Sequence, residues 1–207
     1  MQDRFVRVPI LLGTNTDEGA SFGTTGTDTE ESSKRSVLSR SQATHLLSIY
    51  PDTISLGCPY GWGNTTWPQL GLMYKWYASI ADDLTMVTPR RMLAQAMSRV
   101  GKQVFSCQWD VAALNTNTSS PIGVQHLAEI PFIFANPVQN ITALGSDPAR
   151  LELGQMAARM WVSFVTDLAP NGHGASNFVF LLPRGESYVE PDTYRAAGMD
   201  FINRIVR

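Results

Sequence analysis

The apolar run from Phe5 to Leu12 constrains the fold of this chain more than any other stretch. It is nearly continuous and rich in β-branched residues, the pattern of a strand covered on both faces within a parallel sheet. Such a strand lies between neighbours. This one starts almost at residue 1, where no upstream segment exists to supply them, so the run predicts an incomplete sheet and a chain that is part of a larger fold.

Downstream, residues 13–40 are rich in Gly, Thr, Ser and Asp and read as a long surface loop. Ser41, as N-cap, opens a short helix carrying Leu46, Leu47 and Ile49 that stops ahead of Pro51, and residues 51–68 form a second loop. The spacing of Leu70, Met73, Trp76, Tyr77 and Ile80 predicts a helix over 69–81. Thr88 as N-cap, Pro89 at the first helical position and Gly101 as the stop bound another helix, striped by Met92, Leu93, Ala96, Met97 and Val100. Lys102 to Trp109 is a strand, 110–123 a polar loop, and 123–134 a turn with a short apolar helix. Asp147 and Pro148 open a long helix with Leu151, Met156, Met160, Trp161, Phe164 and Val165 on one side. A strand at Phe178–Leu182 and a helix capped by Asp192, with Tyr194, Ala197, Phe201, Ile202 and Ile205, follow. Strands alternating with helices and loops indicate α/β architecture, in one domain or one and a half at this length.

Sixteen Lys and Arg against eighteen Asp and Glu leave a formal charge of -2 and a pI near 5.9. No basic stripe is present to neutralise phosphates, which excludes a nucleic-acid partner. Only 16% of residues are charged, and Gly, Ser and Thr are plentiful, a mix that suits a loop-rich secreted enzyme. No window approaches the roughly 20 apolar residues of a membrane span. Met1-Gln2-Asp3-Arg4 is not the start of a signal peptide. Cys58 and Cys107 carry no spacing signature, so one disulfide and two thiols both stay open. Asn64, Asn117 and Asn140 begin N-x-S/T triplets, a weak pointer to the secretory route.

The three histidines and two cysteines form no pattern with metal-ligand spacing, so no metal site is expected. Gly19-Ala20-Ser21-Phe22-Gly23 matches G-x-S-x-G in letters only. A nucleophile elbow needs a strand running directly into the first Gly and a helix starting directly after the Ser. Here Gly13 to Glu18 intervene and Gly23-Thr24-Thr25-Gly26-Thr27 follows, so Ser21 is only a minor alternative nucleophile. The carboxylates fit better. A strand ending at Leu12, a Gly13-Thr14-Asn15 turn and then Asp17-Glu18-Gly19 place acids at the carboxyl edge of a parallel sheet, where α/β proteins build their sites. Such an acid orients a histidine whose other ring nitrogen takes the proton of a hydroxyl nucleophile, and His126 is the candidate. Structural roles stand beside these: Glu18 as a helix cap, His126 as an exposed loop residue, His45 and His173 as solvent-facing, Glu129 as a loop-orienting group, and Asp17 pointing elsewhere.

The segments Arg4–Gly19, Gly123–His126 and Glu129–Phe134 together resemble the C-terminal part of type-B carboxylesterases, the α/β-hydrolases that include cholinesterases and fungal extracellular lipases. The similarity continues through Tyr50-Pro51-Asp52, Gly57–Gly61, Pro89-Arg90-Arg91, Trp161–Phe164 and Tyr194–Gly198, in order along the whole chain. The resemblance implies that residues 1–207 are the C-terminal part of an α/β-hydrolase fold, with an incomplete, mostly parallel sheet and packed helices. It implies a Ser-Glu-His triad with Glu18 as acid and His126 as base, ester or lipid substrates, no cofactor, and secretion of the full-length relatives. The nucleophile elbow and oxyanion loop belong to an upstream region that this chain lacks, so the chain alone is expected to be inactive. Many relatives carry Gly where Leu127 stands, which predicts an altered local loop shape with the base retained. A non-catalytic truncated product, or an interaction module of the same fold, is the alternative.

Overall fold

A computed structural model describes residues 6–26, 28, 40–112, 123–134, 144–170, 177–180, 188–190 and 196–205. The chain divides into two compact units. The first comprises residues 1–14, 90–114 and 129–192, the second residues 15–89, 115–128 and 193–207.

The first unit holds the sheet, with strands β1 (Ile10–Asn15, which runs on into the second unit), β2 (Val104–Trp109), β3 (Asn177–Phe180) and β4 (Tyr188–Glu190) in the order β1-β2-β3-β4. β2 pairs parallel with β3, Cys107 opposite Phe178, and β3 pairs antiparallel with β4, Phe178 opposite Val189. β1 begins later than its apolar run because Pro9 has no N–H to give to a ladder; pairing starts where the Ile10 N–H donates to the Gln103 carbonyl at 3.1 Å. Val6 and Val8 are exposed, and Ile10, Leu11 and Leu12 are only half-buried. Among the described residues β1 is therefore an edge strand, not one covered on both faces. The three-residue β4 is too short to register as a periodic pattern.

Helices α5 (Ile130–Ile133) and α6 (Pro148–Asp167) pack together beside this sheet. Asp147 caps α6 as expected, its carboxylate accepting the Ala149 N–H at 3.0 Å with Pro148 in the first turn. The buried face of α6 is Arg150, Leu153, Gly154, Ala157 and Met160, while Val165 from the expected stripe is 77% exposed. Arg150 is anchored on that buried face. Its guanidinium lies over the fully buried Phe132 ring at 5.2 Å from the centroid, and it donates to the carbonyls of Leu144 and Ala112. A buried cation needs such acceptors, and they hold Arg150 on the inner face of the helix. Phe132 in turn meets Trp109 at 4.8 Å between centroids.

The second unit contains α1 (Gly19–Phe22), α2 (Arg40–Ile49), α3 (Tyr74–Asp82) and α7 (Ala196–Ile205). Leu46, Tyr50, Met73, Trp76, Ile80 and Ile202 form one core cluster, and Cys58, Trp67, Tyr74 and Ala78 another. Residues 13–40 are not a surface loop throughout: Thr14, Asn15, Asp17 and Glu18 are buried and α1 follows. Ser41 lies inside α2 rather than capping it, and His45 is exposed there, edge-on to Phe201 at 4.4 Å.

The helix expected at 89–100 does not start at a cap. α3 continues through a π-helical turn, Asp83–Val87, into α4 (Thr88–Arg99), and Thr88 has helical dihedrals. Pro89 removes one ladder donor and its ring crowds the preceding carbonyls, and the wider turn gives it room. In α4, Met97 is buried but Met92 and Leu93 are exposed, as is Val100 just beyond its end, whereas Arg90 and Arg91 are buried. Cys58 and Cys107 are buried thiols, not a disulfide. Asn64 is exposed; Asn117, Asn140, His173, Asp192 and Tyr194 lie outside the described residues. Among the described residues no helix is long and apolar enough to cross a membrane.

The π turn buries two adjacent carboxylates, Asp82 and Asp83. The Tyr50 hydroxyl donates to Asp83 Oδ2 at 2.5 Å, and Trp76 Nε1–H donates to the Tyr50 carbonyl at 2.6 Å. Gly198 of α7 closes over this pair, since a Cβ there would stand 2.7 Å from the Tyr50 hydroxyl oxygen. Gly198→Ala is therefore expected to push the phenol off Asp83 and lower the unfolding free energy by about 1–3 kcal/mol, read from urea midpoints; an unchanged midpoint contradicts the packing.

Candidate active site

β1 ends at Asn15 and the chain turns through residues 16–18 into α1. What seats this turn is α3. Gly19 lies so near it that a Cβ would be 1.9 Å from the Ala78 carbonyl oxygen, and the Gly19 N–H donates to Asp82 Oδ1 at 3.1 Å. The Ala20 and Ser21 N–H groups bond to the Asp17 and Glu18 carbonyls, closing the first helical turn.

The two acids of the turn then diverge. Glu18 Oε1 accepts the Asn15 N–H at 2.8 Å, and Oε2 lies 2.7 Å from His126 Nδ1. Asp17 Oδ1 accepts the Tyr60 N–H and Oδ2 the Val124 N–H, each at 2.7 Å. The Asp17 N–H returns a bond to the Val124 carbonyl at 3.0 Å, and Asn15 Nδ2 donates to the Gln125 carbonyl at 2.8 Å. The segment preceding His126 is thus stitched to the acid turn. Gly123 makes this possible: its φ is +54°, and a Cβ would overlap Asp17 Oδ2 at 2.1 Å.

The Glu18 side chain is nearly buried and that of His126 one-third exposed. A carboxylate can only accept, so the bond assigns a proton to Nδ1 and leaves Nε2 of the neutral ring as the open acceptor. The Phe22 ring stands against the imidazole at 5.1 Å between centroids. Leu127 has φ +70° and is 56% exposed. Leu127 adopts the left-handed backbone that suits glycine, with the strain that a side chain brings.

Ser21 is exposed within the one-turn helix α1, not at a strand-to-helix corner, so its surroundings are not those of an elbow nucleophile. Glu129 precedes α5 and its side chain does not cap that helix; its carbonyl accepts the Phe132 and Ile133 N–H groups. Among the described residues no group of three His, Cys, Asp or Glu side chains is placed to hold a metal ion.

Sequence reasoning missed Asp82 and the role of Asp17. For Asp17 a signal existed, an uninterrupted polar run directly after a strand. For Asp82 none did, because its partner Gly19 is 63 positions away. Behind the turn, the Tyr74 hydroxyl donates to the Ala20 carbonyl at 2.8 Å, and burial, with Cys58 and Asp17 adding to it, pushes this phenol up to about 12.

Comparison with known proteins follows the same direction. The profile of the carboxylesterase family matches residues 1–196. Lipase 2 of Geotrichum candidum is 28% identical over 142 residues, 63% of this chain and 23% of the lipase. The crystal structure of Aspergillus niger EstA superposes with a TM-score of 0.75 at 20% identity, over 98% of this chain and 40% of that one. The chain therefore matches well under half the length of either relative.

Two outcomes follow from this geometry. Leu127→Gly relieves the left-handed strain and is expected to raise stability by up to about 1 kcal/mol, measured by urea unfolding; destabilisation contradicts the strain. The Tyr74 value lies above the ordinary 10.0, so the fold favours the neutral phenol. That contribution is complete below pH 10 and disappears as pH rises towards 12. Tyr74→Phe should make the loss of stability across that window shallower, and an equally steep loss in the variant counts against it.

Proposed function

This chain belongs to the carboxylesterase family, and on that premise we propose that Glu18 and His126 are the acid and base of an ester-hydrolysing triad whose serine lies on another stretch of polypeptide. The fold is that of part of an α/β-hydrolase. The observation that carries the proposal is the 2.7 Å bond between Glu18 Oε2 and His126 Nδ1 across 108 positions of sequence.

The chemistry follows from which atoms are engaged. Nε2 takes the proton of the serine hydroxyl as its oxygen attacks the ester carbonyl, and the Glu18 carboxylate stabilises the resulting imidazolium. The imidazolium then protonates the departing alkoxide, and the same nitrogen activates the water that releases the acid. The Asn15 N–H on Oε1 holds the carboxylate in one rotamer while this happens. No cofactor takes part. Phe22 beside the ring, and the exposed Leu127 next in sequence, favour esters with apolar acyl or alcohol groups, lipids included.

In this reading residues 1–207 are the C-terminal region of a carboxylesterase domain, without nucleophile or oxyanion donors. The exposed Met92 and Leu93 of α4, Val100 just after it, and Val162 and Val165 of α6, supply apolar surface for the remainder of that domain. A fluorophosphonate probe is expected to leave the 207-residue chain unlabelled; stoichiometric labelling of Ser21 overturns this. In a longer polypeptide that includes an upstream G-x-S-x-G elbow, Glu18→Gln and His126→Ala should each lower kcat for 4-nitrophenyl butyrate by about 10³-fold or more. Turnover within threefold of the parent in either variant would falsify the triad assignment.

A further inference from the structure

Asp17 takes no part in the proton transfers just described, yet its side chain ties the segment bearing the base to the rest of the second unit. It is 3% exposed. Its two oxygens each receive a backbone N–H from a different loop, Tyr60 and Val124, both at 2.7 Å. The Tyr60 loop is itself fastened to α3, where Ser79 Oγ accepts the Cys58 N–H at 2.9 Å and Asp82 Oδ2 receives the Tyr60 hydroxyl at 3.3 Å. The Val124 loop carries His126 two residues later, and Leu127 beyond it stands in a strained backbone conformation. A continuous set of hydrogen bonds therefore runs from a helix, through one carboxylate, to the segment bearing the imidazole.

From this juxtaposition we infer that Asp17 is a positioning residue for His126: it fixes the Val124 anchor so that the ring nitrogen meets Glu18, and only a carboxylate can do so. The inference rests on the reading of His126 as the base. Two N–H donors arrive at two different oxygens. An asparagine offers one oxygen, and its amide would set a donor against a donor, so one loop must let go. Gly123 shows how closely the fit is drawn, since no Cβ can enter between it and Asp17. Released from the Asp17 carboxylate, the segment keeps the backbone bond from the Asp17 N–H to the Val124 carbonyl and the Asn15 bond to Gln125, and a shift of the ring by even 1 Å is enough to spoil proton transfer.

The test reads the imidazole directly in the 207-residue chain. In the unsubstituted protein the His126 Nδ1–H should give a low-field proton NMR resonance, absent in Glu18→Gln. Asp17→Asn should lose or broaden that resonance and speed amide exchange at Val124 or Tyr60 at least tenfold. Tyr50→Phe, which removes a buried hydrogen bond of the same unit away from the His126 loop, should lower Tm and keep the resonance. An Asp17→Asn protein that keeps the resonance unshifted overturns the inference while leaving the Glu18–His126 assignment intact, as does equal loss in Asp17→Asn and Tyr50→Phe. A resonance that is absent from the parent, or survives Glu18→Gln, overturns both. Should Asp17→Asn not fold, the parent decides: a Val124 amide that exchanges as fast as that of exposed Leu127 refutes the inference, and protection supports it.

Discussion

A carboxylate taken out of water has to be hydrogen-bonded, and the second unit of this protein is organised around that requirement. Asp17, Glu18 and Asp82 are all buried, and each accepts from backbone N–H groups or from a side chain of another segment. Because an orphaned charge in such a place is far more expensive than a paired one is favourable, the three acids prescribe which loops converge. The acid turn, the 58–60 turn and the 123–126 segment are held by these bonds. Apolar contact supplies the platform, chiefly α3 with Met73, Trp76, Ile80 and Ala78.

The platform has its own irregularity. Pro89 cannot sit in an ordinary helix interior without loss of a ladder bond, and the π-helical turn Asp83–Val87 absorbs it. The turn lies beside the acids that the unit depends on: Asp82 immediately before it meets Gly19, and Asp83 within it meets Tyr50. In the first unit a single cation plays the comparable part. Arg150, satisfied by two carbonyls and lying over Phe132, is held on the buried face of α6.

Where periodicity spoke clearly, the sequence was readable. The stripe of α3, the cap of α6 by Asp147 and Pro148, the strand β2 and the general position of α7 are local matters, set by side-chain spacing and by residues that stop or start helices. Several of the readings that failed were those in which a polar group won a buried place from an apolar one. Arg90 and Arg91 of α4 are buried where Met92 and Leu93 were expected to be, and Arg150 lies on the buried face of α6 while Val165 is exposed. Thr88 has every mark of a cap and is none, because the helix before it did not end.

By itself the sequence determined the alternation of strands and helices and a polar acidic turn directly after the first strand, and it singled out Glu18 and His126 as candidates. Only the tertiary structure decided that Asp17 turns to Tyr60 and Val124 while Glu18 turns to His126, and that Asp82 receives Gly19. The physical reason is that spacing along a chain encodes which face a side chain takes, whereas the partner of a buried carboxylate is chosen by whichever N–H groups the folded loops bring within about 3 Å. Those groups lie dozens of residues away and leave no trace in local pattern.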